Sequence, residues 1–182
     1  MIVNNKLGLT LSGGGARGVA HLGVLKYLFE KDIKPSVISG ASAGALVGAF
    51  IAAGMEPDEI YDMAMKAKFF SFLDLTLRRA GLFNTNIIER AIKKFIPHDS
   101  FEGLQIPLFV SVTDLTNARP LVFNEGSLSF AVKASCAFPL FFQPVHYPAH
   151  DIYLCDGGVM DNFPVRQVRA ICSKVIGVNV NP

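Results

Sequence analysis

The pentapeptide Gly40-Ala41-Ser42-Ala43-Gly44 constrains the fold of this chain more than any other stretch, because it has the form Gly-x-Ser-x-Gly. A short apolar run precedes it and a helix-favouring run follows it. A strand, a sharp turn and a helix in this order form a nucleophile elbow, in which small residues let the strand and the helix approach closely. We therefore expect Gly40 and Gly44 to support a strained Ser42 at a helix N-terminus. A packed glycine- and alanine-rich turn without chemistry is the alternative.

A second glycine-rich turn lies near the start of the chain, at Gly13-Gly14-Gly15-Ala16-Arg17-Gly18, between an apolar strand and a helical pattern. Backbone N–H groups in such a turn can converge on an anion. Beside a reacting serine that anion would be the tetrahedral oxyanion, and the turn would be its oxyanion hole. The turn also fits Gly-x-Gly-x-x-Gly, so a Rossmann-type nucleotide site, with Asp32 near the place of a ribose-binding acid, is a rival interpretation.

The third motif is Asp156-Gly157-Gly158, which follows a short apolar run. An aspartate that ends a strand and precedes two glycines is well placed to face a cleft. Most Asp-Gly-Gly sequences are ordinary turns, however. The Asp-Gly-Gly motif indicates a functional site only in combination with the two glycine-containing motifs that precede it in the chain.

Taken in this order, the three motifs resemble the patatin-like phospholipase family. Two further blocks agree with that family: Ser-x-x-x-Pro-x-x-Phe-x-Pro from Ser135 to Pro144, and Asp-Gly-Gly-x-x-x-Asn-x-Pro from Asp156 to Pro164. The resemblance covers nearly the whole chain. It implies a three-layer α/β/α sandwich with a mainly parallel central sheet. It also implies a serine lipid acyl hydrolase of the phospholipase A, lysophospholipase or carboxylesterase type.

The resemblance further implies a Ser–Asp dyad, in which Ser42 is the nucleophile and Asp156 is its general base. It places phospholipids, lysophospholipids or other lipid esters as substrates, and requires no metal and no organic cofactor. A catalytically silent lipid-binding module with the same fold is a further alternative. The supporting residues that the resemblance implies are the oxyanion hole, Gly13, Gly14 and Gly15 with Arg17 close by, and the turn glycines Gly157 and Gly158.

Strands and helices alternate along the sequence, which by itself predicts an α/β sandwich in one domain over residues 1–182. The chain stops directly after its last predicted strand, whereas members of the family generally continue with helices, so we expect a truncated or a short member. Residues 35–55 carry no charge and match a membrane span in length. Their glycines and serines instead favour a buried strand, the elbow and a buried helix.

The composition limits the classes of partner. The formal net charge of +2 is too small to indicate nucleic acid, and the hydrophobic content of 51% allows a large core or an apolar surface. Three cysteines without a framework spacing predict reduced, mostly buried thiols in a cytoplasmic protein. No cysteine or histidine spacing indicates a metal site.

The segment Phe69–Phe83 is rich in aromatic and aliphatic residues and contains Arg78 and Arg79. This combination predicts peripheral contact with a membrane, where aromatic rings enter the acyl region and arginines meet phosphate. An excursion that packs into the core is the alternative. The four histidines are expected in loops or at the surface, and none follows Asp156, which favours a dyad over a Ser–His–Asp triad.

Overall fold

The structure is a computed structural model that describes residues 6–66 and 86–182. The expectation for Phe69–Phe83 therefore lies outside the described residues. The strands are β1 (Leu7–Leu11), β2 (Val37–Ala41), β3 (Leu108–Asp114), β4 (Arg119–Phe123), β5 (Val145–Tyr147), β6 (Ile152–Asp156) and β7 (Lys174–Val178). The α-helices are α1 (Val19–Glu30), α2 (Ala43–Ala52), α3 (Pro57–Lys66), α4 (Asn86–Phe95), α5 (Leu128–Ser135) and α6 (Val165–Arg169).

The strands form one seven-stranded sheet in the order β5-β6-β3-β2-β1-β7, and β4 also pairs with β3. Strands β7, β1, β2 and β3 are parallel to one another. The pairings that bring in β4, β5 and β6 are antiparallel. The predicted α/β/α sandwich is thus confirmed, with a mixed sheet. Its parallel part carries the glycine-rich turn and the elbow, and its antiparallel part carries Asp156.

Helix α2 is the most deeply buried helix of the described chain, since every residue from Ala43 to Ala52 is buried. Its small residues allow this depth: a Cβ atom on Gly48 would lie 3.2 Å from side-chain carbons of both Ile38 and Leu108. Residues 35–55 fold as the predicted strand, turn and helix. Among the described residues, no helix is both long and apolar enough to cross a membrane.

Strand β3 fixes the relative position of the two most important motifs. Its Ser111 pairs with Ala41, the residue before Ser42. The next residue, Val112, pairs with Asp156 at the end of β6. Two chain segments that are far apart in sequence therefore end at neighbouring positions of one strand.

Candidate active site

Ser42 has the backbone conformation that the elbow pattern predicts. Its φ of 50° and ψ of −120° are unusual for a residue with a side chain, and it is the N-cap residue of α2. The turn is so tight that a Cβ atom on Gly40 would lie 2.5 Å from the carbonyl oxygen of Gly44. Gly44 in turn packs against β1, where a Cβ atom would overlap the carbonyl oxygen of Leu11. Both positions therefore need glycine.

The hydroxyl of Ser42 donates a hydrogen bond of 2.6 Å to Oδ2 of Asp156. The other carboxylate oxygen, Oδ1, accepts a 2.7 Å hydrogen bond from the backbone N–H of Gly158. The carboxylate is thus held from both sides, with one oxygen directed at the serine. Gly157 is required in this turn, since a Cβ atom there would overlap the carbonyl oxygen of Ser111.

Burial makes Asp156 a stronger base than an ordinary aspartate. Its side chain is only 2% exposed. Desolvation raises its pKa from 3.8 to about 6, against the opposing effect of its hydrogen bonds from Ser42 and Gly158. The carboxylate is therefore ionised at neutral pH, yet its proton affinity is high enough to accept a proton from a hydroxyl.

A series of hydrogen bonds through two other serines holds the backbone of the elbow in place. The backbone N–H of Ser42 donates to Oγ of Ser135 at 2.8 Å, and that hydroxyl donates to the carbonyl oxygen of Ser111 at 2.7 Å. The hydroxyl of Ser111 then reaches the carbonyl oxygen of Asp161. Ser135 begins the Ser-x-x-x-Pro block, but no sequence pattern predicted its contact with Ser42.

The glycine-rich turn lies beside Ser42 and Asp156. Its glycines differ in whether their backbone N–H groups already donate a hydrogen bond. The N–H of Gly13, one of the predicted oxyanion donors, already donates to the carbonyl oxygen of Asn162 at 3.1 Å. Among the described residues, the N–H groups of Gly14 and Gly15 have no backbone acceptor. Gly15 has a φ of 56°, a left-handed conformation that suits glycine. Of the three predicted glycine donors, those of Gly14 and Gly15 are therefore free within the described structure.

Arg17 stands at the edge of the turn with its guanidinium exposed. Its Nη2 donates to Oδ1 of Asn181 at 3.0 Å, and the amide nitrogen of Asn181 donates to the carbonyl oxygen of Gly13 at 2.6 Å. Asn181 was not expected at the site from the sequence. No sequence signal identified it, because its role depends on β7 ending beside β1.

Ser42 and Asp156 open into a cleft of about 560 Å³, whose charged lining residues in the described chain are Asp156 and Arg17. Phenylalanines line one part of the cleft, and the glycine-rich turn lines another. The lining residues are Gly14, Gly15, Ala16, Arg17, Ser42, Ala43, Leu46, Ile88, Cys136, Phe138, Phe141, Phe142, Asp156, Gly158, Asn162 and Asn181. A long apolar chain attached to a polar group fits this distribution.

In the described structure, no histidine forms a hydrogen bond with the side chain of Ser42 or Asp156. The prediction of a surface or loop position is wrong for His21, which is fully buried in α1 and contacts the carbonyl oxygen of Ser12 through Nε2 at 2.8 Å. Burial lowers the pKa of His21, so it is neutral at pH 7. His146 lies on β5 and contacts Asp151. None of the four lines the cleft formed by the described residues.

The position of Asp32 also argues against a nucleotide site at Gly13–Gly18. The predicted ribose-binding acid, Asp32, lies in the turn between the end of α1 and the start of β2. A ribose-binding acid must lie at the carboxyl end of β2, where the ligand binds in such folds. That end is occupied by Ala41 and Ser42.

A serine on a strained strand-to-helix turn, a carboxylate within hydrogen-bond reach and free N–H donors beside them define the geometry of an α/β serine hydrolase. The sequence profile of the patatin-like phospholipases matches residues 9–169. The chain therefore belongs to the patatin-like phospholipase family, as its motifs predicted.

Curated relatives agree with this assignment. The chain is 31% identical over 187 residues to patatin-like phospholipase domain-containing protein 6 of Mus musculus, a match that covers 99% of this chain and 14% of the relative. It is 32% identical over 186 residues to neuropathy target esterase sws of Drosophila melanogaster, covering 98% of this chain and 13% of the relative. The chain thus spans about one seventh of the length of these relatives.

Solved structures share the fold at lower identity. VipD from Legionella pneumophila matches with a TM-score of 0.63 and 20% identity, covering 95% of this chain and 49% of that one. ExoU in the heterodimeric ExoU–SpcU complex of Pseudomonas aeruginosa matches with a TM-score of 0.58 and 18% identity, covering 98% and 48%. At these identities the likeness shows the fold alone.

Proposed function

We propose that residues 1–182 form the catalytic domain of a serine lipid acyl hydrolase that cleaves carboxylic ester bonds. The 2.6 Å hydrogen bond from Ser42 to the buried Asp156, inside a cleft partly lined by phenylalanines, is the observation that carries this proposal. The relatives are named as a phospholipase and an esterase, which supports the same reaction class.

In the proposed reaction, Oγ of Ser42 attacks the ester carbonyl carbon while Oδ2 of Asp156 accepts the hydroxyl proton. The negative charge that develops on the carbonyl oxygen is stabilised by the N–H groups of Gly14 and Gly15. Each such donor contributes on the order of 3 kcal/mol to transition-state stabilisation. The departing alcohol takes the proton from Asp156, and an acyl group remains on Ser42.

Water completes the reaction through the same residues. Asp156 accepts a proton from the water as the water oxygen attacks the acyl carbonyl carbon. Asp156 then returns this proton to Oγ of Ser42 as the ester bond to Ser42 breaks and the fatty acid leaves. Each step uses only residues of this chain and water. The substrate is a phospholipid, a lysophospholipid or another lipid ester, with its acyl chain along Phe138, Phe141 and Phe142.

A cytoplasmic location with peripheral contact to a membrane is part of this proposal. The three cysteines are free thiols, and Cys136 and Cys155 are buried, as a reducing compartment would allow. Contact through Phe69–Phe83 stays a prediction, because that segment lies outside the described residues.

The test compares two serine variants. Ser42→Ala should abolish both hydrolysis of a short-chain aryl ester and labelling by a fluorophosphonate, with an unchanged melting temperature. Ser36→Ala is the matched control, because Ser36 is exposed and lies on the same stretch of chain. Residual activity of Ser42→Ala within tenfold of the wild type would rule out Ser42 as the nucleophile. A wild type that binds lipid but neither reacts nor hydrolyses would instead favour the silent lipid-binding module.

A further inference from the structure

Two segments that contribute residues to the cleft also hold large apolar side chains in solvent. In the first segment, Phe138 is 44% exposed and Leu140 is 86% exposed. In the second segment, Val159 and Met160 are 46% and 48% exposed. A single apolar residue at a protein surface is common, but a group of them around a cleft mouth indicates a partner.

One hydrogen bond joins the two segments that carry these side chains. The backbone N–H of Asp156 donates to the carbonyl oxygen of Ala137 at 3.1 Å. Ala137 directly precedes Phe138, and Asp156 begins the turn that leads to Val159. Phe138 and Gly158 also line the same cleft. We call Phe138, Leu140, Val159 and Met160 the rim.

The backbone holds Leu140 outward. The N–H groups of Phe141 and Phe142 both point back to the carbonyl oxygen of Phe138, at 3.3 Å and 3.1 Å, which closes the loop into a tight turn. At its tip Leu140 has a φ of 81°, a value that leucine rarely adopts. Backbone strain of this kind tends to be found at functional positions.

The charges near the rim favour a lipid surface as the partner. Residues 134–150 contain no aspartate, glutamate, lysine or arginine. The second segment is followed by one acidic residue, Asp161, whose charge is opposed by that of Arg166. Arg17, which also lines the cleft, is exposed and forms no ion pair with any described residue. Exposed apolar side chains and an unpaired cation at one cleft match a bilayer, in which acyl chains lie beneath phosphate groups.

We propose that the rim is the surface by which this domain docks on its aggregated substrate, with Leu140 and Met160 entering the acyl region of a phospholipid bilayer. This inference rests on the proposed function, since it places the mouth of the acyl cleft against the lipid that supplies the ester. A lipid could then move from the bilayer into the cleft without its acyl chain crossing water.

The test measures partition of the full chain, in a Ser42→Ala background, onto phosphatidylcholine vesicles. Leu140→Gly removes the side chain at a backbone angle that glycine adopts freely, so the fold is preserved. We expect its partition coefficient to fall about tenfold, the scale expected for one buried leucine. Leu140→Gly combined with Met160→Ser should reduce it further. Neither residue lines the cleft, so with Ser42 intact these variants should hydrolyse a soluble ester at the wild-type rate.

Tyr27→Asp is the matched control. Tyr27 is 59% exposed and lies about 12 Å along α1 from the helix end next to the glycine-rich turn. It should leave partition unchanged. Equal loss of partition in Tyr27→Asp, or full partition in the double variant, overturns the inference. So does a wild-type dimer that Leu140→Gly converts to monomer, because the rim would then join two copies of the chain.

The two proposals fail in different ways. Absence of soluble-ester hydrolysis and of Ser42 labelling in the wild type contradicts the proposed function, whatever the vesicles show. Partition of the Ser42→Ala background needs no catalysis. An active wild type whose rim variants still bind vesicles therefore contradicts the rim alone.

Discussion

At the scale of the single residue, the proposed mechanism sets two opposing requirements for Asp156. It must be ionised at the working pH, and its proton affinity must be high enough to accept a proton from serine. A free aspartate, with a pKa near 3.9, fails the second requirement. Burial supplies the proton affinity, while the N–H of Gly158 and the hydroxyl of Ser42 keep the charged form stable. The result is a pKa of about 6.

The pH dependence of hydrolysis follows from this value. Asp156 acts as a base only when deprotonated, so kcat/KM should fall as the pH drops through about 6. The measurement is kcat/KM for a soluble aryl ester from about pH 4 to about pH 9, a range that extends to both sides of this pKa. If kcat/KM instead fell with an apparent pKa near 4, Asp156 would not be desolvated in the free enzyme. Singly changing His21, His98, His146 or His150 to glutamine should leave the expected pH dependence in place.

Asp156→Asn is the control for this prediction, and it should lose activity about as completely as Ser42→Ala. Its stability provides a second readout. Between pH 3.8 and about 6 the native state holds the Asp156 proton and the unfolded chain does not. Stability from this group therefore declines as the pH rises through that window, by at most about 3 kcal/mol. Subtracting the unfolding free energies of Asp156→Asn from those of the wild type should reveal this decline, and a flat difference would contradict the raised pKa.

At the scale of elements, the sequence predicted β2, the elbow and α2, because glycine spacing and hydrophobic periodicity there point to the same structure. It missed β5, which is only three residues long and lies between Pro144 and Pro148. It also misplaced His21, because polarity suggested the surface. The carbonyl oxygen of Ser12 that accepts from His21 is contributed by the backbone of another element, which no side-chain pattern reveals.

The close contact of α2 with β1 gives a prediction at this scale. Gly44→Ala would place a methyl group onto the carbonyl oxygen of Leu11 and 2.6 Å from that of Ser12. Because these contacts are with backbone atoms, relieving them requires a backbone shift. We therefore expect the free energy of unfolding to fall by about 2–3 kcal/mol, in the range of overpacked cores. Ester hydrolysis should fall as well, because Ser12 leads into the glycine-rich turn. Chemical denaturation and kcat/KM are the measurements.

Gly23→Ala is the matched control for Gly44→Ala. Gly23 also lies within a helix, α1, but a Cβ atom there has no other atom within 4 Å. Alanine should therefore stabilise the protein by up to about 1 kcal/mol through helix propensity alone. If both variants shifted stability in the same direction, the tight packing of Gly44 would not be the cause.

At the scale of the whole molecule, the site is assembled from segments at both ends of the chain and from its middle. The sequence could name Ser42, Asp156 and the glycine-rich turn, because each is marked by a local motif. It could not name Ile88 or Asn181 as cleft residues, because those positions come from the order of strands in the sheet and from helix packing. Asn181 reaches the cleft because β1 pairs with β2 on one side and with β7 on the other.

The link between β7 and the glycine-rich turn gives the last prediction. One side chain, Asn181, donates to the carbonyl oxygen of Gly13 at 2.6 Å and accepts from Arg17 at 3.0 Å. Asn181→Ala would leave the turn without this support, so the N–H groups of Gly14 and Gly15 would be less well ordered for the oxyanion. We expect kcat for a soluble ester to fall about tenfold, less than the 10²–10³ for outright loss of a donor. KM and the melting temperature should change little, since Asn181 is only partly buried and belongs neither to the core nor to the phenylalanines of the cleft. Asn124→Ala, at an exposed asparagine away from the site, should leave all three values unchanged. An unaltered kcat in Asn181→Ala would show that the turn keeps its geometry without its partner from the far end of the chain.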